Sequence, residues 1–555
     1  MCTSKSRHSR DAATRPGPLF RWLLVGSLFL TGVIVGGCGR RELPADAAVR
    51  HQTLLVSIPG EPSELDPHII NAPPDFDVIQ AFFEGLVVAH PKTLQAEPGV
   101  AERWDVSDDR LTYTFHLREN ARWSNGDPVT AHDFVYSFRR ALTPSLGSQY
   151  TFLFSAIVGA EDFAAGRVTD FDQVGIEAAD ARTVRLTLRR PTPYFLEIMA
   201  NNPVFYPVHP PTVERVGGFD QRGSGWTRPE HFVGNGPFTL ATWRPNEVIV
   251  ARKSSTYRAA DEVRLQAVHF HSYDSVEAQE RAFRAGQLHL TDRVPLAKID
   301  VYRSQDPSPL LAHDMLMVRF VNVNTERPPL DDPRVRQALA RALDRRLLAE
   351  KVFHSAATPA FQLVPDGMPR YLPRQRIVED APAAQQLLAE AGYPGGSGFP
   401  ALELQVESGA SSQLDQALQA RWREVLGIDV RIVRSESRVH WSNLQRRDFQ
   451  LSIGGWVADY PDATAFLDLW TQASGWNFTG WSAAAYDAIL EQANQASAAE
   501  ERLAHLQRAE SMLLEAMPVL PVWFERNLRL VHPAVRNWIP NVMERPQYAP
   551  VYLEN

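Results

Sequence analysis

Beyond residue 38 the chain contains no cysteine, because its only two are Cys2 and Cys38. That excludes disulfide-stapled folds and Cys-x-x-Cys metal sites for the body of the protein. Stability must come from buried apolar cores. The 555 residues, 44% of them hydrophobic, suffice for several, and at about 100–200 residues per domain two to four domains are expected. The stretch ahead of Cys38 is of another kind. A basic segment ends at Arg21, an apolar run covers residues 22–35, and Gly36-Gly37-Cys38 closes it. The run falls short of the roughly 20 apolar residues that cross a bilayer. Residues 1–37 are therefore predicted to be a removable export signal, and residues 38–50 a polar tether.

The formal net charge is −8, and residues 1–37 carry five basic side chains against Asp11 alone, so the body is more acidic than the total. An acidic body with no basic stripe repels phosphate backbones, which excludes nucleic acid as a partner.

Alternating apolar residues predict strands at 53–58, 111–117 and 184–188, and again at 238–243 and 248–252. The turn Trp123-Ser124-Asn125-Gly126-Asp127-Pro128-Val129-Thr130 leads into an amphipathic helix over 131–141. A helical pattern beginning near Asp75 is predicted to include Phe82-Phe83-Glu84-Gly85-Leu86. From Leu316 onward strands alternate with helices. Asp331-Asp332-Pro333 starts one helix, and others are predicted at 381–391, 412–426, 484–495 and 499–516. Strands at 402–407 and 428–433 lie between them, and such alternation predicts an α/β domain.

Within that block, residues 449–462 read F-Q-L-S-I-G-G-W-V-A-D-Y-P-D. Leu451 and Ile453 alternate with Gln450 and Ser452 as in a strand. Gly454 and Gly455 permit close backbone approach, Trp456 supplies a flat apolar wall, and Asp459 places a carboxylate at the turn before Pro461. A strand edge, a wall and a fixed anion suit an extended ligand with an amino terminus. A buried strand followed by an Asx-type turn is the plainer reading.

Enzyme motifs are lacking. Gly395-Gly396-Ser397-Gly398-Phe399 breaks the nucleophile-elbow pattern, and H-E-x-x-H does not occur. Gly234-Asn235-Gly236 lacks the third glycine of a dinucleotide loop. His269 and His271 share one face of a strand without further ligands nearby in sequence, so no metal or cofactor is expected.

Eight stretches in order carry a family resemblance. They are Glu64-Leu65-Asp66-Pro67-His68, Phe83-Glu84-Gly85-Leu86, the Trp123–Ala131 turn with Asp133-Phe134, and Pro193-Tyr194-Phe195. Gly234-Asn235-Gly236-Pro237-Phe238, Pro333-Arg334-Val335-Arg336-Gln337-Ala338-Leu339, Ala391-Gly392-Tyr393-Pro394 and Gly455-Trp456 with Asp459-Tyr460 complete the set. The chain resembles the bacterial extracellular solute-binding proteins of family 5, in the peptide/nickel ABC-transporter class, and among them periplasmic oligopeptide-binding proteins. Val35-Gly36-Gly37-Cys38 likewise resembles a lipoprotein lipobox, which implies lipidation of Cys38 and attachment to a bacterial membrane.

The family resemblance implies an α/β, three-lobed periplasmic binding protein of class II type. Its first lobe would comprise residues 51–73, 206–310 and 527–555, its second 74–205 and its third 311–526. It implies a monomeric receptor, not an enzyme, that holds a small peptide extended between lobes and delivers it to ABC permease subunits. Asp459 would receive the peptide's α-ammonium. Gly455, Trp456, Val457 and Ala458 would form the strand edge or pocket wall, facing Glu61 and Pro62 of the first lobe, with Tyr150 approaching from the second. The pattern breaks at one place. Where oligopeptide binders carry an arginine for the ligand's carboxyl end, this chain has Ile453. Arg446 or Arg447 could serve instead, or stand solvated at the surface. A receptor of the same family for an oligosaccharide or nickel chelate is the alternative, and a secreted hydrolase a more distant one.

Overall fold

The first strand, β1 (Thr53–Ile58), is buried along almost its whole length. The computed structural model describes residues 42–354, 356–408 and 412–555, so the export signal, Cys38 and the start of the tether lie outside the described residues. The rest of the tether is a correction. Pro44–Arg50 is a helix with Ala45 and Val49 buried, and the Ala45 amide donates to the Gly286 carbonyl at 2.9 Å. Alanine-rich A-D-A-A-V places those two apolar residues four apart on one helical face, a signal that outweighs the polar composition.

After β1, the motif acid Asp66 accepts two hydrogen bonds from Arg140, at 2.9 and 2.6 Å, both side chains being buried. The next helix ends at Ile79 (Pro73–Ile79) rather than continuing through residues 82–86. Those residues dock instead on the Gly234-Asn235-Gly236 turn. Asn235 bonds the Glu84 amide and carbonyl at 3.0 and 2.8 Å, and the Gly236 amide donates to the Phe82 carbonyl at 2.9 Å. The Glu84 carboxylate accepts from Tyr257 and twice from Arg258, each at 2.8 Å. A Cβ on Gly236 would lie 2.4 Å from the Phe82 carbonyl carbon, so only glycine fits. Gly236→Ala is therefore expected to cost at least about 1–3 kcal/mol, read as a lower denaturant midpoint at unchanged slope.

A short hairpin of β2 (Val87–Ala89) and β3 (Ala96–Pro98) leads into β4 (Ala101–Val106), β5 (Thr112–Leu117), β6 (Ile176–Asp180) and β7 (Thr183–Thr187). The last four form one antiparallel sheet, ordered β4-β5-β7-β6. In β5, Tyr113, Phe115 and Leu117 are buried and the residues between them are not, as the alternation predicts. The helix Ala131–Leu142 packs over this sheet from a capping box. Thr130 accepts from the Asp133 amide, and Asp133 accepts from the Thr130 amide and from the Trp123 indole.

The chain then returns to its first sheet through β8 (Phe238–Arg244), β9 (Val248–Lys253) and β10 (Ala267–Ser272), ordered β1-β10-β9-β8. Bridges from Val56 to Leu290 and from Leu290 to Val531 bring the far end of the chain to the same sheet. Gln52 also bonds both backbone polar groups of Leu553, at 2.6 and 3.1 Å.

The third sheet, ordered β12-β16-β11-β15-β13-β14, contains β11 (Leu310–Val323), β12 (Ala357–Pro359), β13 (Leu402–Glu407), β14 (Val430–Ser435), β15 (Leu451–Val457) and β16 (Val519–Leu530). Helix Ser412–Leu426 connects parallel β13 and β14, and helix Ser437–Gln445 leads back to β15, the α/β pattern expected. β11 and β16 pair from Leu310↔Leu530 to Asn322↔Val519, with a register shift between Asp314 and Val318. This two-stranded ribbon runs from the third sheet to the neighbourhood of Val531, whose bridge to Leu290 leads to the first sheet. Residues Leu43–Asn555 form one compact unit, and no helix among the described residues is long and apolar enough to cross a membrane.

Candidate ligand-binding site

Strand β15 is paired unevenly. On one side it meets β11 along its full length, from Leu451↔Val323 to Val457↔Met317. On the other it meets β13 only at Leu451 and Ser452. Residues 453–457 thus present a bare edge in the described structure, a row of backbone donors and acceptors able to take another strand. The two glycines have a cause that the sequence does not show. A Cβ on Gly454 would lie 2.7 Å from the Asn322 amide nitrogen, and one on Gly455 2.7 Å from Arg319 Cδ. The close approach at Gly454 comes from β11 side chains, and at Gly455 from the Arg319 side chain together with the Val318 carbonyl, 3.0 Å from the same Cβ position.

Past the strand, Ala458, Tyr460, Asp462 and the Asp459 backbone are tied down. The Ala458 amide donates to the Leu316 carbonyl at 2.8 Å. The Asp459 carbonyl accepts from Asn202 at 2.8 Å. Tyr460 stacks on Tyr194 with ring centroids 5.1 Å apart, and Asp462 makes a two-armed ion pair with Arg502 at 2.8 Å. The Asp459 carboxylate, by contrast, accepts no hydrogen bond among the described residues. Burial pushes its pKa up to about 6, against the pull of the Arg545 cation. A partly buried anion lacking donors is predisposed to accept an ammonium.

Tyr150 stands in the same neighbourhood. Burial and then the Asp459 charge push its hydroxyl pKa up, and its ring meets Phe76 edge-on at 5.9 Å. The Arg545 guanidinium lies over the other partner, 4.3 Å from the Phe76 centroid. Phe76 and Arg545 escape the sequence reading because no local motif marks either of them. Their place follows from the C-terminal loop meeting the helix Pro73–Ile79.

Trp456 walls the strand, its ring 5.0 Å from Trp476, while Val457 is exposed and Ala458 buried. Glu61 has another task. Its carboxylate accepts from the Trp243 indole at 2.6 Å and the Asn246 amide at 2.9 Å, bracing the β8–β9 hairpin, and Pro62 is buried. Arg447 pairs with Glu326 at 2.8 Å and Arg446 bonds Asn443 at 3.1 Å, both in a surface depression with Arg327. That leaves them in the solvated role. Among the described residues no cluster of three or more His, Cys, Asp or Glu side chains is arranged to hold a metal.

Comparison with known proteins gives the family of the chain. The family model "Bacterial extracellular solute-binding proteins, family 5 Middle" matches residues 95–478. The periplasmic murein peptide-binding protein MppA of Escherichia coli is 32% identical over 518 residues, 92% of this chain and 94% of the relative. The probable deoxycholate-binding periplasmic protein YgiS of Escherichia coli is 33% identical over 503 residues, 89% of this chain and 92% of the relative. The solved unliganded open form of the MppA murein tripeptide-binding protein superposes with a TM-score of 0.80 at 31% identity, covering 90% of this chain and 97% of that one. The chain belongs to the bacterial extracellular solute-binding proteins of family 5.

Proposed function

We propose that this solute-binding protein captures peptides in extended form and delivers them to the permease of an ABC importer, without chemical turnover. One observation carries the reading: the bare edge of β15 runs directly to a carboxylate with no internal hydrogen bond. A peptide added antiparallel to that edge pairs its backbone whatever its sequence, and its α-ammonium arrives at Asp459. Tyr150 and Phe76 close the amino end from the opposite wall. Gly455, Trp456, Val457 and Ala458 contribute edge and wall, whereas the Glu61 side chain serves the scaffold and Pro62 only the shape of the cleft. Closure around ligand bends the β11–β16 ribbon at the register shift between Asp314 and Val318.

The receptor acts as a monomer in the periplasm, held to the membrane through lipidated Cys38. Metabolic labelling with a fatty acid is expected to mark the wild type and not Cys38→Ser. Titration of the soluble protein with free-amine and N-acetylated forms of one peptide tests the main reading. Free-amine peptide at 100 times its Kd is expected to stabilise the protein by about 2.7 kcal/mol against heat. Equal affinity for the acetylated form would overturn the assignment of Asp459.

A second reading, a non-peptide ligand in the same cleft, is favoured by the likeness to a relative described as probably binding deoxycholate. Oligosaccharides and nickel chelates fall under it too. Native mass spectrometry of protein taken from its host separates the two readings by the mass of the retained ligand.

A further inference from the structure

Strands β13 and β15 part company after the pair Gln405↔Ser452, and a cavity of about 180 Å³ fills the gap between them. Val406 and Glu407 line one side and residues 453–456 the other, so the cavity adjoins the bare edge. Its remaining wall is aromatic. Trp476 lies 5.0 Å from Trp456 and 6.4 Å from Trp441, and Phe478 lies 6.2 Å from both Trp441 and Trp476, all near edge-to-face. Trp441 and Trp476 remain 42% and 49% exposed. Indoles clustered edge-to-face yet left this open mark a surface that gains by being covered.

The charges at the cavity disfavour an anionic side chain. Arg319 donates to Glu525 at 3.1 Å, and Glu407 lines the same space. The indoles therefore set the preference.

We propose that this cavity is a side-chain subsite that selects an aromatic residue of the bound peptide. The inference rests on the peptide reading above and adds to it a ligand class. Trp456 precedes Asp459 by three residues, about 10 Å along an extended chain, so the selected side chain belongs to a residue after the first. A ring placed there covers the open faces of Trp441 and Trp476 and repeats the edge-to-face packing around it.

The test uses tetraalanine with a free amino end and its four single-phenylalanine variants, titrated by calorimetry. One position beyond the first is expected to bind at least about tenfold more tightly than tetraalanine. In Trp476→Ala the ratio of the two dissociation constants is expected to fall to about two or less. Trp441→Ala provides an independent variant, and thermal melts of both verify folding. Tetraalanine binding with no phenylalanine preference at any position, or a preference surviving in both variants, overturns the subsite alone. Failure of every peptide to bind overturns the peptide reading and the subsite with it.

Discussion

Asp459→Asn is expected to melt at a higher temperature than the wild type while binding free-amine peptides about 2–5 kcal/mol more weakly. The two effects have one cause. Burial raises the Asp459 pKa from 3.8 to about 6, so the unfolded chain ionises the carboxylate more readily than the folded one does. The resulting penalty on the folded state is absent below about pH 4, grows as pH rises to about 6, and is constant above. At neutral pH it amounts to at most about 3 kcal/mol. Asparagine keeps the shape and removes the charge, so the gain in melting temperature should appear at pH 7 and vanish at pH 3.

Binding has the opposite dependence. The complex needs an ionised Asp459 and a protonated α-amino group, whose ordinary pKa is about 8. Wild-type affinity for a free-amine peptide should thus be level between about pH 6 and 8 and fall about tenfold per unit below that range. The asparagine variant should lack the acidic limb. Calorimetric titrations at pH 5, 6 and 7 decide the matter, and an acidic limb that persists in the variant assigns the titration to another group. A site that destabilises the fold until ligand arrives is consistent with a receptor whose binding energy drives closure.

Arg140→Ala is expected to lose about 3–5 kcal/mol of stability, measured as the loss of unfolding free energy in urea. Arg140 is 0% and Asp66 2% exposed. Besides its two bonds to Asp66, the guanidinium donates to the Phe219 carbonyl at 2.7 Å and to His68 Nδ1 at 2.9 Å. Burial alone would raise the Asp66 pKa, but the charge and hydrogen bonds of Arg140, helped by His68, hold it below the usual value. Burial, reinforced by Arg140, lowers His68 to about 4. His68 is then neutral at pH 7, accepting at Nδ1 from Arg140 and donating from Nε2 to the Tyr206 carbonyl.

The pH dependence follows by linkage. The neutral His68 contributes stability that is lost as pH falls from about 6.5 toward 4, because only the unfolded chain takes up the proton there. The depressed Asp66 contributes stability present above its unfolded value of 3.8 and lost as pH falls through the lower folded value. Removing Arg140 alone strands a buried carboxylate. The double variant Asp66→Asn with Arg140→Met should accordingly unfold closer to the wild type than Arg140→Ala does. Additive losses in the double variant would show that the pair is not coupled.

The same motif shows what a short sequence pattern can carry. Glu64-Leu65-Asp66-Pro67-His68 marks the family, yet Asp66 and His68 act as a joint to the helix Ala131–Leu142 and to Tyr206, not as ligand contacts. Gly234-Asn235-Gly236 likewise serves as the socket for residues 82–86. That docking also explains why the helical pattern there ends early. Backbone groups at Phe82 and Glu84 find partners across the chain and have no need of the next helical turn.

The sequence by itself determined the elements whose causes are local. Helices Ala484–Gln495 and Ala499–Ala516 and strand Leu402–Glu407 follow from apolar period, and the capping box at Thr130 from residues three apart. It also determined the family, through motifs spread from Glu64 to Tyr460, and singled out Asp459. Tertiary structure alone decided that one edge of β15 is bare past Ser452, that β11 crowds Gly454 and Gly455, and that Glu61 braces a hairpin. It alone brought Arg545 near the Asp459 carboxylate, set Phe76 against both Arg545 and Tyr150, and gathered four tryptophans at one cavity. The physical reason is common to all of these. Edge pairing, desolvation and the supply of hydrogen-bond donors depend on which distant segments meet, and no local period or spacing encodes that.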